Sequence, residues 1–373
     1  MTEQGGLGRS AYLTKNVGDF AEKIVINGVE FVKIEDLRYG TNPHQPAAFY
    51  RPEGFSCPIA DMKVLKSGKS GLSQTNIEDI SYSLNIIKYF NKPACAVMKH
   101  VNPSGAAIQR GTQTLRDVYM RARDCDSRAA FGSVVAFNKE VDESTAKEIM
   151  GTFVECVVAP SYAKAALDIF NDETVKLNRH IRILQCGDIS SLPRFVGDAK
   201  PINYTVKTLA DGSVVIAAPL LTHIRSVSEL KPAEAESKTA GKVKSTVNAS
   251  PEQLEDLLSA WFINISVRSN GVVILKNGQT LAVGTGEQDR VGAVEQAIWK
   301  FQNKYTGDEN IEGAVMASDG FFPFPDSVEI AAKAGIKAII FPPGSIKDAD
   351  VVAKGNELGI ALIHAPERCF SHH

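Results

Sequence analysis

The stretch that decides the fold is residues 74–107, QTNIEDISYSLNIIKYFNKPACAVMKHVNPSGAA. Large apolar side chains recur at helical spacing in its first part, which predicts an amphipathic helix. They are Ile77, Ile80, Leu84 and Ile87, preceded by the capping side chains of Gln74, Thr75 and Asn76. The segment Asn91-Lys92-Pro93 ends this helix, because the residue before a proline avoids helical geometry. Residues 94–98 then have the length and apolar character of a strand, which we expect to run into a glycine loop and a new helix.

Lys99 and His100 follow this strand directly, so the sequence places both side chains at its carboxyl end. In open α/β sheets ligands bind at that edge, where loops converge beside helix N-termini. An imidazole can take a proton from a nucleophile, and a neighbouring ammonium can stabilise an oxyanion or protonate a leaving nitrogen. Acyl transfer needs both roles. The structural alternative is a solvent-facing lysine beside a histidine that caps a turn.

Strands and helices alternate in both halves of the chain, which predicts a layered α/β fold. In the first half we expect strands over residues 133–137 and 156–159, a helix over 143–153, and a further helix that starts at Pro160. In the second half we expect strands over 314–317 and 337–341, a loop over 318–327, a helix over 328–334, and another helix after Pro342-Pro343-Gly344. The order strand, proline, helix occurs in VECVVAPSYAKAAL and again in IKAIIFPPGSIKDAD, which suggests an internal duplication.

The segment between the two halves has few large apolar residues. Residues 231–250 are rich in Lys, Glu, Ala and Ser, which is typical of a solvated connection. The predicted organisation is therefore a first subdomain over residues 1–200, a connecting segment over 201–250 and a second subdomain over 251–373.

Composition excludes several classes of protein. The chain has 373 residues, of which 44% are hydrophobic and 23% are charged, as in an ordinary globular protein. Its formal net charge is −2, so no general basic field favours nucleic acid as a partner. Residues 1–20 lack the apolar segment of a signal peptide, and no run of eighteen apolar residues suggests a membrane partner. We expect a cytoplasmic protein.

Zinc is not an expected cofactor. The six cysteines lie far apart without a CxxC pair, which favours reduced and mostly buried thiols over a disulfide framework or a zinc knuckle. A zinc nucleotide deaminase needs HxE and PCxxC ligands to hold a metal-activated water, and neither motif occurs.

Five polar clusters lie beside Gly or Pro in predicted loops, where functional residues are common. They cover residues 37–45, 99–105, 266–270, 318–327 and 368–373. Arg38 and Arg368 suit phosphate recognition because a guanidinium offers a rigid fork of donors, although arginines are also often solvated or paired with carboxylates. The phenylalanines of residues 321–324 either stack on a flat heterocycle or form a local core plug.

Seven ordered strings together resemble the AICAR transformylase part of the bifunctional purine-synthesis enzyme. They are LRYGTNPHQ, KHVNPSGAA, AAFGSVVAFN, VVAPSY, VRSNGVVILKNGQTLAVGTGEQDR, SDGFFPFPDS and RCFSHH. The resemblance implies transfer of a formyl group from 10-formyltetrahydrofolate to the 5-amino group of AICAR ribotide. It implies two cytidine-deaminase-like three-layer α/β subdomains with a connecting segment, and a homodimer with active sites at the interface. The cyclohydrolase domain that precedes LRYGTNPHQ in that family is not expected here, so a separate IMP cyclohydrolase would close the ring.

The resemblance also assigns roles to individual residues. His100 is similar to the general base on the 5-amino group, and Lys99 to the residue that stabilises the oxyanion and assists the leaving folate nitrogen. The implied ribotide-binding residues are Arg38, Tyr39, Gly132, Glu155, Asn270, Arg290, Phe321, Arg368 and Phe370. The implied folate-binding residues are Phe131, Val291, Phe324 and Asp326. A potassium site is implied at Ser266, Ser269, Asp319 and His372.

Some positions depart from the family pattern. Glu155 stands where some members have Asp, residues 286–290 read GEQDR in place of a GxQxR-like segment, and Ser327 follows Asp326 where Asn is common. The folate contacts are the positions most affected by these changes. A non-catalytic ribotide sensor of the same fold is therefore the alternative function.

Overall fold

The structure, a computed structural model, describes residues 13–237 and 241–372. The first part of the predicted N-terminal subdomain and His373 of the terminal cluster lie outside the described residues. A three-stranded antiparallel sheet comes first, formed by β1 (Lys23–Ile26), β2 (Val29–Asp36) and β3 (Ala48–Pro52).

Two long series of elements follow, separated by short hairpins. The first series is β4 (Lys63–Lys66), α1 (Gln74–Ile87), β5 (Ala94–Lys99), β6 (Asn102–Ile108), α2 (Leu115–Arg123), β7 (Ser133–Phe137), α3 (Glu143–Ile149), β8 (Val154–Ala159), α4 (Lys164–Asn171) and β9 (Arg182–Gln185). The intervening strands are β10 (Thr205–Thr208), β11 (Val214–Ala217), β12 (Lys231–Pro232), β13 (Glu234–Ser237) and β14 (Gly241–Lys244). The second series is α5 (Pro251–Asn264), β15 (Val272–Lys276), β16 (Gln279–Gly284), α6 (Arg290–Lys304), β17 (Val315–Ser318), α7 (Asp326–Lys333), β18 (Ala338–Phe341), α8 (Asp348–Leu358) and β19 (Ala361–His364).

The two series repeat one pattern. From α1 to β9 and from α5 to β19 the order is helix, β-hairpin, helix, strand, helix, strand, helix, strand. The strands lie in the order β6-β5-β7-β8-β9 in the first repeat and β16-β15-β17-β18-β19 in the second. Antiparallel pairing of β6 with β16 joins both repeats into one 12-stranded sheet, which β4 and β12 complete at its ends. The predicted α/β class and internal duplication are confirmed.

Both faces of the large sheet are covered. One core lies under α1 and α5 and extends across both repeats, because it contains Leu84 of α1 and Trp261 of α5. On the opposite face each repeat has its own core, represented by Phe137 in the first repeat and Phe341 in the second. This three-layer arrangement leaves the edges of the sheet, where the loops emerge, free to carry a site.

The predicted helix and strand around residues 74–98 are confirmed as α1 and β5. The N-cap of α1 is Ser73, whose hydroxyl accepts from the Asn76 N–H while the Asn76 side chain accepts from the Ser73 N–H. The predicted glycine loop and new helix after β5 were wrong, because β6 forms a hairpin with β5 there. Helix α2 packs so closely on β6 that a small residue is required there. An added Cβ at Gly105 would lie 2.1 Å from the Ala122 carbonyl oxygen of α2.

Other boundaries also moved. The helix predicted over 143–153 ends at Ile149, because Gly151 follows the C-cap Met150 and β8 begins at Val154. The helix predicted to start at Pro160 begins only at Lys164, because residues 161–163 are held extended against Val141 by two backbone hydrogen bonds. The connecting segment is partly ordered, since β12 pairs with β19 and β13 pairs with β14.

Candidate functional site

Lys99 and His100 lie at the carboxyl end of β5, as predicted. This end of β5 does not lie beside the carboxyl ends of neighbouring parallel strands, as in an ordinary open α/β sheet. Because β5 runs antiparallel to β7, this end of β5 lies beside the amino ends of the parallel strands β7 and β8. The antiparallel joint between β6 and β16 brings the carboxyl ends of β17, β18 and β19 to the same edge. The candidate site therefore lies where the amino ends of the parallel strands of the first repeat meet the carboxyl ends of those of the second repeat.

The turn after β5 is held in an unusual backbone conformation. His100 and Val101 have φ angles of 54° and 61°, a region that β-branched residues rarely adopt. The buried carboxylate of Asp79 on α1 accepts a hydrogen bond of 2.6 Å from the Val101 N–H and another from the His100 N–H. Burial raises the pKa of Asp79 to about 6, although these two N–H groups act in the opposite direction. Asp79 thus anchors the turn that presents His100.

Lys99 is positioned by the neighbouring strand. Its Nζ donates a hydrogen bond of 2.6 Å to the Gly132 carbonyl oxygen at the start of β7. Gly132 has a φ of 71°, and an added Cβ would lie 3.0 Å from the Lys99 Nζ. Glycine is therefore favoured here, because any other residue would be strained at this φ and would displace the Lys99 ammonium.

The surroundings of His100 favour its neutral form. Partial burial lowers the pKa of His100, and the nearby Lys99 ammonium lowers it further, while Glu155 opposes them. Neutral imidazole is the form that can accept a proton. The arrangement therefore keeps His100 competent as a base to a lower pH than an isolated histidine.

Arg38 and Tyr39 lie on the β8 side of His100. The Arg38 guanidinium stacks over the Tyr39 ring at 4.6 Å, and its Nη1 donates to the Ser70 hydroxyl at 3.0 Å. Arg38 is buried, and its Nε has no hydrogen-bond partner among the described residues. Burial and the charge of nearby Arg182 lower the pKa of Arg38. Two neighbouring guanidiniums, one with an unused donor, suit a phosphate.

Glu155 connects these arginines with the Lys99–His100 pair. Its Oε2 accepts a hydrogen bond of 2.9 Å from the Asn76 amide, and its charge acts on both Arg38 and His100. We call the group Arg38, Tyr39, Lys99, His100, Gly132 and Glu155 the first cluster. Sequence reasoning missed Asn76 as a functional neighbour, as well as Asp79 and Arg182, because nothing in the pattern distinguishes them from ordinary polar positions.

A second cluster forms at the end of β17 and the beginning of α6. Arg290 forms a buried ion pair with Asp319, and its Nη2 donates to the Asn270 side-chain oxygen at 2.6 Å. The guanidinium of Arg290 lies 5.8 Å from the Phe370 ring, and that of Arg368 lies 4.7 Å from the same ring. The structure thus brings together five residues predicted from distant parts of the chain: Asn270, Arg290, Asp319, Arg368 and Phe370.

The segment that carries Arg368 is fixed by its neighbour. Glu367 accepts hydrogen bonds from the Thr222 hydroxyl at 2.6 Å and the His223 N–H at 3.1 Å, and its other oxygen lies 2.7 Å from the His223 Nδ1. The buried Trp261 indole donates to the same Thr222 hydroxyl at 3.0 Å. The exposed Arg368 side chain is therefore presented from an anchored backbone.

The residues predicted to bind folate divide between the two repeats. Phe131 and Phe324 are exposed by 60% and 57%, unusual values for phenylalanine, and Phe321 of the predicted ribotide set by 38%. Phe131 precedes Gly132 of the first cluster, whereas Phe324 belongs to the loop after β17. Val291 is half-buried at the start of α6, and Asp326 begins α7. The exposed rings are available for stacking on a flat heterocycle.

The four residues predicted for potassium do not form a ready ligand set. Both Asp319 carboxylate oxygens are engaged, one by Arg290 and the other by the Gly271 N–H at 2.8 Å. The Ser266 hydroxyl accepts from the Asn85 amide at 2.8 Å. The Ser269 N–H donates to the Ser371 carbonyl oxygen at 2.9 Å, and the His372 side chain is exposed. Potassium binding stays a prediction.

Arg38 and Arg368 belong to different clusters in the chain. Glu155, beside Arg38, belongs to β8, and Asn270 of the second cluster lies two residues before the start of β15. These strands are five positions apart in the sheet order, which at the usual strand spacing corresponds to roughly 24 Å. Among the described residues no hydrogen bond or ring contact joins Arg38 with Arg368, so the predicted shared phosphate pocket stays a prediction.

Asp79 provides a direct test of how the turn is held. Asp79→Ala should lower the free energy of unfolding by about 1 to 3 kcal/mol, because two backbone N–H groups lose their acceptor. Asp79→Asn keeps one acceptor oxygen and should lose less. The matched control is Glu78→Ala, which removes only a helix-surface contact with Gln74, worth about 0.2 to 0.5 kcal/mol. Equal denaturant midpoints for the Asp79→Ala and Glu78→Ala proteins would show that the turn holds itself.

A family model and three similar known proteins point to the same family. A model of the AICARFT/IMPCHase bienzyme family matches residues 9–300. The bifunctional purine biosynthesis protein PurH of Magnetococcus marinus is 39% identical over 355 residues, covering 92% of this chain and 60% of the relative. The PurH proteins of Oceanobacillus iheyensis and Acetivibrio thermocellus are 39% and 36% identical, covering 92% and 97% of this chain. The chain spans about 60% of the length of these relatives.

Two solved structures of dCMP deaminase from the cyanophage S-TIM5 are also similar in part. The complex with dCMP and dUMP aligns with a TM-score of 0.20 and 23% identity, over 25% of this chain and 77% of its own. The apo form aligns with a TM-score of 0.22 and 22% identity, over 30% of this chain and 97% of its own. A TM-score this low supports no conclusion about this chain.

Within residues 13–237 and 241–372, no helix is long and apolar enough to cross a membrane.

Proposed function

The chain belongs to the AICARFT/IMPCHase bienzyme family, and we propose that it acts in purine biosynthesis by transferring a formyl group from 10-formyltetrahydrofolate to AICAR ribotide. The observation that carries the proposal is the Lys99–His100 pair, held by Gly132 on one side and by Asp79 on the other. A lysine and a neutral histidine fixed side by side supply the two roles that acyl transfer to an amine requires.

The reaction follows from these two groups. The 5-amino nitrogen of the ribotide attacks the formyl carbon, which forms a C–N bond and places negative charge on the formyl oxygen. His100 takes the proton released by the amine, and the Lys99 ammonium stabilises the oxyanion. The bond between the formyl carbon and the folate N10 then breaks. A proton from the protonated His100 or from Lys99 completes the leaving group, giving formyl-AICAR and tetrahydrofolate.

The ribotide and the folate are proposed to occupy both clusters of a homodimer. Arg38 and Arg182 offer an anion site beside the catalytic pair, while Arg368, Arg290 and Asn270 form the second cluster, which makes no hydrogen bond or ring contact with that anion site among the described residues. A second chain could bring its second cluster to the first cluster of its partner, and the exposed rings would then stack on the folate. Ring closure of the product would require a separate IMP cyclohydrolase activity.

Incubation of the purified protein with AICAR ribotide and 10-formyltetrahydrofolate should give formylated ribotide and tetrahydrofolate in equal amounts. Chromatography of the ribotide and the absorbance of the released folate measure the two products independently. Ribotide binding without release of tetrahydrofolate would instead favour the non-catalytic sensor. The protein without ribotide is the control, because hydrolysis of the donor also releases tetrahydrofolate.

A further inference from the structure

A cavity opens beside the catalytic pair, between the end of α2 and helix α6. Its volume is about 270 Å³. Its polar lining includes Lys99, His100, Asp126, Thr285, Lys300 and Lys304, and we call it the lysine pocket. The two lysines of α6 have no role in the formyl-transfer scheme above. The pocket is too small for a whole folate or ribotide, but it can accept one end of such a molecule.

The charges of the lysine pocket do not balance. Lys304 pairs with Asp126 at 3.1 Å. Lys300 donates to the Val283 carbonyl oxygen at 2.8 Å, and Lys99 donates to that of Gly132. Among the described residues, neither Lys99 nor Lys300 has a carboxylate within ion-pair distance. The pocket therefore holds three ammonium groups against one carboxylate.

Burial makes this imbalance costly. Burial lowers the pKa of Lys300, and the positive charge of Lys304 lowers it further. A buried ammonium is destabilised unless a counter-charge compensates it. Each ammonium carries three N–H groups, and the recorded carbonyl bonds of Lys99 and Lys300 use one on each side chain. Donors therefore remain for another acceptor.

We propose that the lysine pocket binds an oxyanion, a carboxylate or phosphate group, carried by a substrate whose reactive end lies at Lys99 and His100. This inference rests on the proposed function for the identity of that substrate. The glutamate tail of the folate is the source we favour, because Arg38 and Arg182 already offer a site for the ribotide phosphate. The phosphate is the other source, and the test separates the two. Asp126 and Glu287 act on Lys300 without a direct ion pair, so an anion in the pocket would give Lys300 a direct counter-charge and fix the substrate beside the catalytic pair.

The test uses two substitutions with opposite effects. Lys304→Gln removes one positive charge and should raise the KM of the anionic substrate by about 5- to 30-fold, as expected for one charge-assisted hydrogen bond, while kcat changes little. Asp126→Asn removes the one carboxylate but keeps the acceptor for the Ala129 N–H, and should lower the same KM. The control is Lys333→Gln, which changes an exposed lysine at the end of α7.

The two sources are separated by which KM changes. A change confined to 10-formyltetrahydrofolate with a triglutamate tail assigns the pocket to the folate, and a change confined to AICAR ribotide assigns it to the phosphate. Inorganic phosphate and triglutamate are also titrated against the melting temperature of the intact protein, a readout that needs no turnover. Unchanged KM values together with identical melting responses in all three variants would overturn the pocket while leaving formyl transfer standing. If the unaltered protein shows no formyl transfer but inorganic phosphate or triglutamate still raises its melting temperature, only the proposed function is overturned.

Discussion

His100→Ala should reduce formyl transfer by about 100- to 10,000-fold, the usual cost of removing a general base. The chain should still fold, because the His100 side chain is only partly buried and its backbone N–H, which the substitution retains, makes the contact with Asp79. Steady-state rates at saturating substrates measure the effect. Unfolding midpoints and ribotide binding, which should both stay close to those of the unaltered protein, are the controls.

The pH dependence gives the same hypothesis a second test. Because burial and Lys99 lower the pKa of His100, the rate should rise with pH through a midpoint below the ordinary histidine value of about 6.5. Lys99→Ala removes one of the two causes, so the midpoint should move upward in that variant even though the rate falls. A midpoint that does not respond to Lys99 would count against His100 as the titrating group.

Asp79 titrates in an overlapping range and must be separated from His100. Burial raises the pKa of Asp79 to about 6, so protonation of this carboxyl group would also loosen the turn in mildly acidic solution. In Asp79→Asn the acid limb should persist if His100 is the base. Substantial turnover in a well-folded His100→Ala protein would contradict the assignment whatever the profile.

Local signals predicted the elements that depend on short-range chemistry. Helix α1 has apolar residues at helical spacing and a side-chain cap, and β5 is a short apolar run bounded by Pro93, so both were correctly predicted. Strand β6 was missed because its small residues have weak strand propensity. It is a strand because it pairs with β5 and with β16, a partner more than 170 residues away.

The site shows the same limit. The Lys99–His100 pair is contiguous in sequence, so its placement at the end of β5 could be predicted. The support from Asp79 could not, because it depends on two positive φ angles that leave no mark in the amino-acid pattern. The placement of Arg38 and Arg368 in separate clusters could not be predicted either, because it depends on strand order, which only the complete topology determines.

That separation leads to the second large effect, which concerns the predicted homodimer. His100→Ala damages the first cluster, and Arg368→Glu damages the second cluster on an exposed side chain. If each site combines the first cluster of one chain with the second cluster of its partner, a mixed dimer contains one intact site and one site with both lesions. Random pairing of equal amounts makes about half of the dimers mixed, so two nearly inactive proteins should recover about a quarter of the unaltered activity.

The experiment requires that the chains exchange, so the two variants are expressed together with different affinity tags and the mixed dimers are isolated. A matched control combines His100→Ala with Lys99→Ala, which lie in the same cluster, and should recover nothing beyond the sum of the separate variants. Sedimentation measures the assembly state of each preparation. Recovery absent from the isolated mixed dimers, or full activity in a protein that sediments as a monomer, would show that one chain completes its own site, so that Arg368 does not act together with the first cluster of another chain.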